Sequence, residues 1–207
     1  DVVQMVLAGK TNKDIVARIN KHDGDSVGLC GIDAGLLRVK QSPRLGLVGE
    51  ITNVNTRYVR LLLDNGFLPV IAPVGVKEEG KAHNINADVA AAHIAAALQA
   101  EKLVYLSDVE GVKANDSLIH SMDREEAHRL IEEGIIINGM IPKIRSAFRA
   151  IDAGVGKVHL IDGRITHSLL LEIFTDAGVG TELLSAKQQR GSEAAKPQRT
   201  SIYALES

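Results

Sequence analysis

One cysteine among 207 residues rules out an internal disulfide and a cysteine-rich metal site. That residue, Cys30, has Val27 and Leu29 beside it, so it reads as a buried thiol in a protein of a reducing compartment. An excess of one charge is missing too. Lys and Arg number 24 against 26 Asp and Glu, a net charge of −2, and nothing in that balance argues for a nucleic-acid or anionic-membrane partner. No apolar run reaches the length of a membrane-spanning helix, and no basic segment followed by an apolar core opens the chain. The seven histidines are scattered, with no pair at metal-ligand spacing and none in the context of a hydrolase nucleophile, so no protein-held metal is expected. Gly31-Ile-Asp-Ala-Gly35 is not a Walker phosphate loop, because no Gly-Lys-Ser/Thr follows. The expected location is the cytoplasm, with a plastid or mitochondrion left open should a transit peptide have been removed.

Aromatics make up only 3% of the chain, whereas glycine occurs 19 times. With 45% hydrophobic and 24% charged residues, this composition suits an α/β protein with many tight strand–helix turns. Helical spacing runs from Val2 to Asn20 with an interruption near Gly9–Asn12, where Asn12 can cap a second segment. Ser26–Cys30 and Leu36–Lys40 read as strands of a hairpin about Gly31–Gly35, and Leu45–Gly49 as a further short strand. A helix over Asn55–Asn65 and a strand over Phe67–Ala72 follow. Farther on come a helix over Met122–Gly134 capped by Asp123, a helix with Pro142 near its first turn that stops at Gly154, and a strand over Lys157–Ile161. A helix over His167–Ala177 and a strand over Gly180–Leu184 close the patterned part. The alternation predicts a mainly parallel sheet covered on both faces, the three-layer α/β sandwich, over residues 1–184. Ser185–Ser207 is polar with almost no apolar pattern and is expected to be a disordered tail. The first residues are already helical in pattern, so a segment upstream of Asp1 is expected.

Asn84 to Val112 organises the chain. Asn86 is a candidate N-cap, and an alanine-rich helix follows to Leu98. A strand over Lys102–Val109 then exits through Ser107-Asp108 to Gly111. Asp88 falls in the first turn of that helix and reads either as a helix-dipole carboxylate or as a site residue. Polar residues and a glycine beyond the carboxyl end of a strand mark the place where open α/β sheets bind ligands, although an ordinary loop exit has the same composition. Lys143 lies just after Pro142 at a helix N-terminus. A cation there opposes the dipole unless an anion docks between the two, and a solvated lysine is the alternative.

Four segments together resemble the N-acetylglutamate kinases of the amino acid kinase family, in the arginine-sensitive branch. They are Asn84-Ile-Asn-Ala-Asp88, Leu106-Ser-Asp-Val-Glu-Gly-Val112, Glu132-Glu-Gly-Ile through Gly139-Met-Ile-Pro-Lys143, and His167 through Thr181. The resemblance implies the amino acid kinase fold and ATP-dependent phosphorylation of the side-chain carboxylate of N-acetyl-L-glutamate in arginine biosynthesis. By that likeness Lys143 and Asp88 are catalytic, Lys143 stabilising charge on the transferring phosphoryl group and Asp88 orienting lysines, while Asn84 binds substrate. Ser107, Asp108, Val109, Glu110, Gly111 and Val112, with Ile135, Ile136 and Ile137, line the nucleotide pocket. His159, Glu172 and Gly178 match positions that bind L-arginine as a feedback inhibitor. A solvent-facing helix residue is the alternative for Glu172. ATP and Mg2+, the metal held mainly by the phosphates, are the implied small molecules, and a homo-oligomer is implied for the full-length form.

The family's Lys-x-Gly-Gly loop, its Gly-Gly-Gly-Pro loop and a substrate-binding arginine have no counterpart in this sequence. The domain is therefore expected to be N-terminally incomplete, with little activity on its own. The alternatives are a non-catalytic nucleotide- or arginine-binding module, or another amino acid kinase relative such as an aspartate or carbamate kinase.

Overall fold

A computed structural model describes residues 2–41, 49–115, 117–174 and 179–185. Its contacts divide the chain into two compact units, Asp1–Leu103 with Arg145–Gly156, and Val104–Ile144 with Lys157–Ser207.

The first unit opens with a continuous helical run: α1 (Val2–Gln4), a π-helical segment Met5–Thr11, and α2 (Asn12–Asn20). The expected interruption at Gly9–Asn12 is absent. The chain instead widens, and the N–H of Asn12 reaches back five residues to the carbonyl of Leu7. Asn12 is correspondingly not a cap. Its dihedrals are helical, and its buried amide donates to the carbonyls of Leu29 (3.2 Å) and Val70 (2.8 Å). Those carbonyls belong to β1 (Ser26–Cys30) and, beyond β2 (Leu37–Gln41), β3 (Gly49–Val54) and α3 (Arg57–Asp64), to β4 (Leu68–Ala72). β1 and β4 pair in parallel, with Ser26 opposite Leu68 and Cys30 opposite Ala72.

The expected hairpin between Ser26–Cys30 and Leu36–Lys40 does not form, although both strands exist. β2 pairs antiparallel with β3 and parallel with β5 (Val74–Val76), which pairs antiparallel with β6 (Ala82–Asn84). A single 3-10 turn at Asp33–Gly35, with Ala34 at φ 51° and Gly35 at φ 62°, carries the chain from one sheet into the other. The Asp33 carboxylate accepts from the N–H of Cys30 at 2.7 Å and holds that crossing. Of the strand expected at Leu45–Gly49, only Gly49 lies within the described residues. β3 begins there, and β5 and β6 were not read from the sequence because each has only three residues. α4 (Ala87–Leu98) is the alanine-rich helix, and it ends at Gln99 in the left-handed region. The core gathers Leu29, Leu36, Leu37, Val39, Val59, Leu62, Ile85 and Ala90.

The second unit takes up β7 (Lys102–Ser107) from Val104 onward. A small ribbon follows, β8 (Lys113–Ala114) against β9 (Ser117–Leu118), and then β10 (Ser121–Met122). α5 (Arg124–Glu132) starts at Asp123, whose carboxylate accepts from the N–H of Glu126 at 2.9 Å, the cap expected from the sequence. α6 (Met140–Asp152) begins in this unit and finishes in the first. β11 (Lys157–Asp162), α7 (Ser168–Phe174) and β12 (Thr181–Leu183) complete it. The sheet order is β10-β12-β11-β7, with β10 and β12 parallel and β11 and β12 antiparallel. Met122, Val158, Leu160, Ile161 and Leu183 are fully buried and form its centre. The architecture is α/β with parallel strand pairs in both units, the class expected from the alternation of patterns. Among the described residues no helix is long and apolar enough to cross a membrane. The tail from 186 onward lies outside the described residues.

Candidate functional site

β7 ends at Ser107, and a cavity of about 440 Å³ opens beside that end. Ser107, Asp108, Val109, Gly111 and Val112 form one wall, Ile135, Ile136 and Ile137 another, and Lys143 closes it from α6. The volume falls within the range of small-molecule sites, roughly 300–1,000 Å³. Eight of the nine residues that the family resemblance assigns to a nucleotide pocket therefore surround one space. Glu110 is the ninth, and its carboxylate turns to Lys113 at 2.9 Å. Lys113, Gly139 and Met140 also line the cavity and were not singled out from the sequence. Gly139 and Met140 open the segment Gly139-Met-Ile-Pro-Lys143 that carries part of the resemblance, which was the available signal.

The loop is pinned where it turns. Gly111 adopts φ 142°, and a side chain there would run into the Thr181 hydroxyl. That hydroxyl accepts from the N–H of Val112 at 2.8 Å and donates to the carbonyl of Ile119 at 2.7 Å. At the adjacent strand end the N–H of Gly163 donates to the carbonyl of Ser107 at 2.8 Å. Beside it the buried Asp162 takes two hydrogen bonds from the Arg164 guanidinium, at 2.9 and 2.8 Å, and one from the Arg164 N–H at 2.9 Å. Those hydrogen bonds hold the Asp162 carboxyl at about 2 and push the Arg164 guanidinium upward. Ile135–Ile137 follows the turn that ends α5. Gly134 adopts φ 71°, and the N–H groups of Ile135 and Ile136 both return to the carbonyl of Leu130.

Lys143 is half-buried, and its ammonium stands over the Tyr105 ring, 5.0 Å from the centroid. The backbone around it contributes less to an anion site than a helix N-terminus ordinarily does. The N–H groups of Met140 and Ile141 bond to the carbonyls of Ile137 and Asn138, and Pro142 has none. The positive charge offered to the cavity by α6 is therefore mainly the lysine's own.

Asn84 and Asp88 belong to the first unit. Asn86 caps α4 as expected, accepting from the N–H of Val89 at 3.1 Å, and Asp88 takes its place in the first turn. The main-chain oxygen of Asp88 accepts from the Ser146 hydroxyl at 3.2 Å. Asn84 ends β6 with a buried side-chain oxygen that has no hydrogen-bond partner among the described residues. An orphaned acceptor of this kind costs free energy unless a ligand donates to it.

His159 and Glu172 meet in the second unit. The Nδ1 of His159 lies against Oε1 of Glu172, and both side chains are buried. Oε2 of Glu172 accepts from the N–H of Val179 at 2.8 Å. Glu172 is thus not a solvent-facing helix residue. Gly178, the third residue of that set, lies outside the described residues. No group of three His, Cys, Asp or Glu side chains among the described residues is arranged to hold a metal ion.

These features define an α/β protein whose cavity opens at the carboxyl end of a sheet strand and faces a lysine. The sequence profile of the amino acid kinase family matches residues 1–162, and the chain belongs to that family. It is 57% identical over 192 residues to the acetylglutamate kinase of Chlorobaculum tepidum, covering 91% of this chain and 67% of that protein. It is 54% identical over 187 residues to the acetylglutamate kinase of Chlorobaculum parvum, covering 89% and 62%. The chain thus spans about two thirds or less of these relatives' length. Among solved structures, N-acetylglutamate synthase from Neisseria gonorrhoeae, complexed with coenzyme A and N-acetyl-glutamate, superposes with a TM-score of 0.79 at 29% identity, covering 88% of this chain and 43% of that one. Its complex with coenzyme A and L-arginine superposes at 0.67 and 27% identity, covering 87% and 46%.

Proposed function

We propose that the protein to which this chain belongs phosphorylates the side-chain carboxylate of N-acetyl-L-glutamate with ATP, in arginine biosynthesis in the cytoplasm. The observation that carries the reading is the cavity at the end of β7, lined by Ser107–Val109 and Ile135–Ile137 with Lys143 at its edge. The similarity to acetylglutamate kinases supports the choice of substrate. A carboxylate oxygen attacks the γ-phosphorus, the bond to the β-phosphate oxygen breaks, and ADP leaves. The nucleophile is ionised at neutral pH, so no proton has to be removed. Catalysis then consists of positioning and charge neutralisation. Lys143 supplies positive charge to the transferring phosphoryl group. Asp88 has the orienting role, and the Asn84 oxygen suits a donor such as the substrate's amide N–H. Mg2+ would come with the nucleotide, held mainly by its phosphates, and would supply positive charge there.

The test uses calorimetry of the 207-residue chain with Mg·ATP. Binding is expected, and Lys143→Ala should weaken it about tenfold or more, the loss of one charge-assisted contact. Equal affinity in the variant would sink the assignment of Lys143. In the full-length protein, phosphate transfer to N-acetyl-L-glutamate, absent with aspartate and carbamate, separates a kinase from a nucleotide-binding module and from the other family branches.

Arginine is proposed as a regulatory ligand at His159 and Glu172. A buried carboxylate beside an imidazole is a suitable anchor for a guanidinium. Arginine should raise the melting temperature of the wild type and leave that of Glu172→Gln unchanged. An equal rise in both would place arginine elsewhere.

A further inference from the structure

Only six residues of this chain are Tyr or Phe, and one of them, Tyr105, is spent in the interior of β7 beneath Lys143. Tyr105 is 4% exposed, and the Lys143 Nζ stands 5.0 Å from its ring centroid, inside the roughly 6 Å limit for attraction between a cation and a ring face. Both residues belong to the second unit, and Lys143 lines the cavity while the ring supports it.

A lysine ammonium on a four-carbon stem samples many rotamers unless something holds it. A ring face attracts the cation through its quadrupole and carries no net charge. An aliphatic side chain of similar size would fill the same space without that attraction.

We propose that Tyr105 is a positioning residue for Lys143, its ring face holding the ammonium where the phosphate groups of a nucleotide enter the cavity. The proposal rests on the reading of this cavity as a nucleotide site. Tyr105 touches no phosphate itself and acts through the lysine.

The experiment replaces Tyr105 in the 207-residue chain with Phe, with mono-, di- and trifluorophenylalanine, and with Leu. The fluorinated rings keep nearly the same shape while their quadrupole weakens step by step. Affinities for Mg·ATP and for adenosine, which has no phosphate, are measured by calorimetry for each variant and for Lys143→Ala. Phe should match Tyr within about twofold, and ATP affinity should fall stepwise along the fluorinated series to about three- to tenfold below wild type, with Leu at the bottom. Adenosine affinity should stay level throughout. An ATP affinity that is flat along the series while Lys143→Ala weakens it would overturn the positioning role. So would parallel losses for ATP and adenosine, the mark of simple packing. If the wild type binds no ATP, or Lys143→Ala leaves its affinity unchanged, the nucleotide reading itself fails and takes this role with it.

Discussion

Asp162 ends β11 with its carboxylate buried and both oxygens on the Arg164 guanidinium, which itself is largely exposed. The folded-state carboxyl titrates at about 2, below the roughly 3.9 of an unfolded chain. The stabilisation is therefore complete above about pH 4 and is lost as pH falls toward 2. Asp162→Asn should melt below the wild type at pH 7, and the two melting temperatures should converge across that acid window. A gap that stays constant down to pH 2.5 would show that the pair stabilises by shape rather than charge. Asp162 carried no signal in the sequence beyond its place in a strand-ending Asp-Gly, because its partner two residues on was one of several charges nearby. Cys30 was legible: its apolar neighbours predicted burial, and burial does push its thiol upward. Glu172 was only half legible, since a helical glutamate reads alike whether it faces water or His159.

Helix caps whose signals are local were read correctly. The caps at Asn86 and Asp123 are hydrogen bonds to an N–H three residues away, so the sequence window contains both partners. Asn12 was misread for the opposite reason. Its partners lie on β1 and β4, far along the chain, where its amide bridges two parallel strands. Asn12→Ala should cost about 1–3 kcal/mol, as expected for stranding buried carbonyls. The neighbouring Lys13→Ala, which removes an exposed bond to the Gly28 carbonyl, should stay within about 0.5 kcal/mol. Urea unfolding of both variants decides this, and equal midpoints would mean that Asn12 does not brace the strands. The missing hairpin has the same origin. β1 and β2 are adjacent in sequence with a glycine turn between them, yet each finds its neighbours elsewhere.

Over the whole molecule, the alternation of strand and helix patterns determined an α/β class, and the ordered motifs from Asn84 to Thr181 determined the amino acid kinase family. Both are properties of the order of residues, and periodicity and motif order need no knowledge of what touches what. The composition determined the absence of an internal disulfide in the same direct way. Only the tertiary structure decided that Ser107–Val109, Gly111, Val112, Ile135–Ile137 and Lys143 enclose one cavity, and that Lys113, Gly139 and Met140 share in lining it. It alone placed Tyr105 beneath Lys143, buried Glu172 against His159, and divided the strands among separate sheets. Each of these outcomes depends on residues that are distant along the chain and adjacent in space. Burial, pairing and a ring beneath an ammonium come from packing, which a one-dimensional pattern constrains but does not specify.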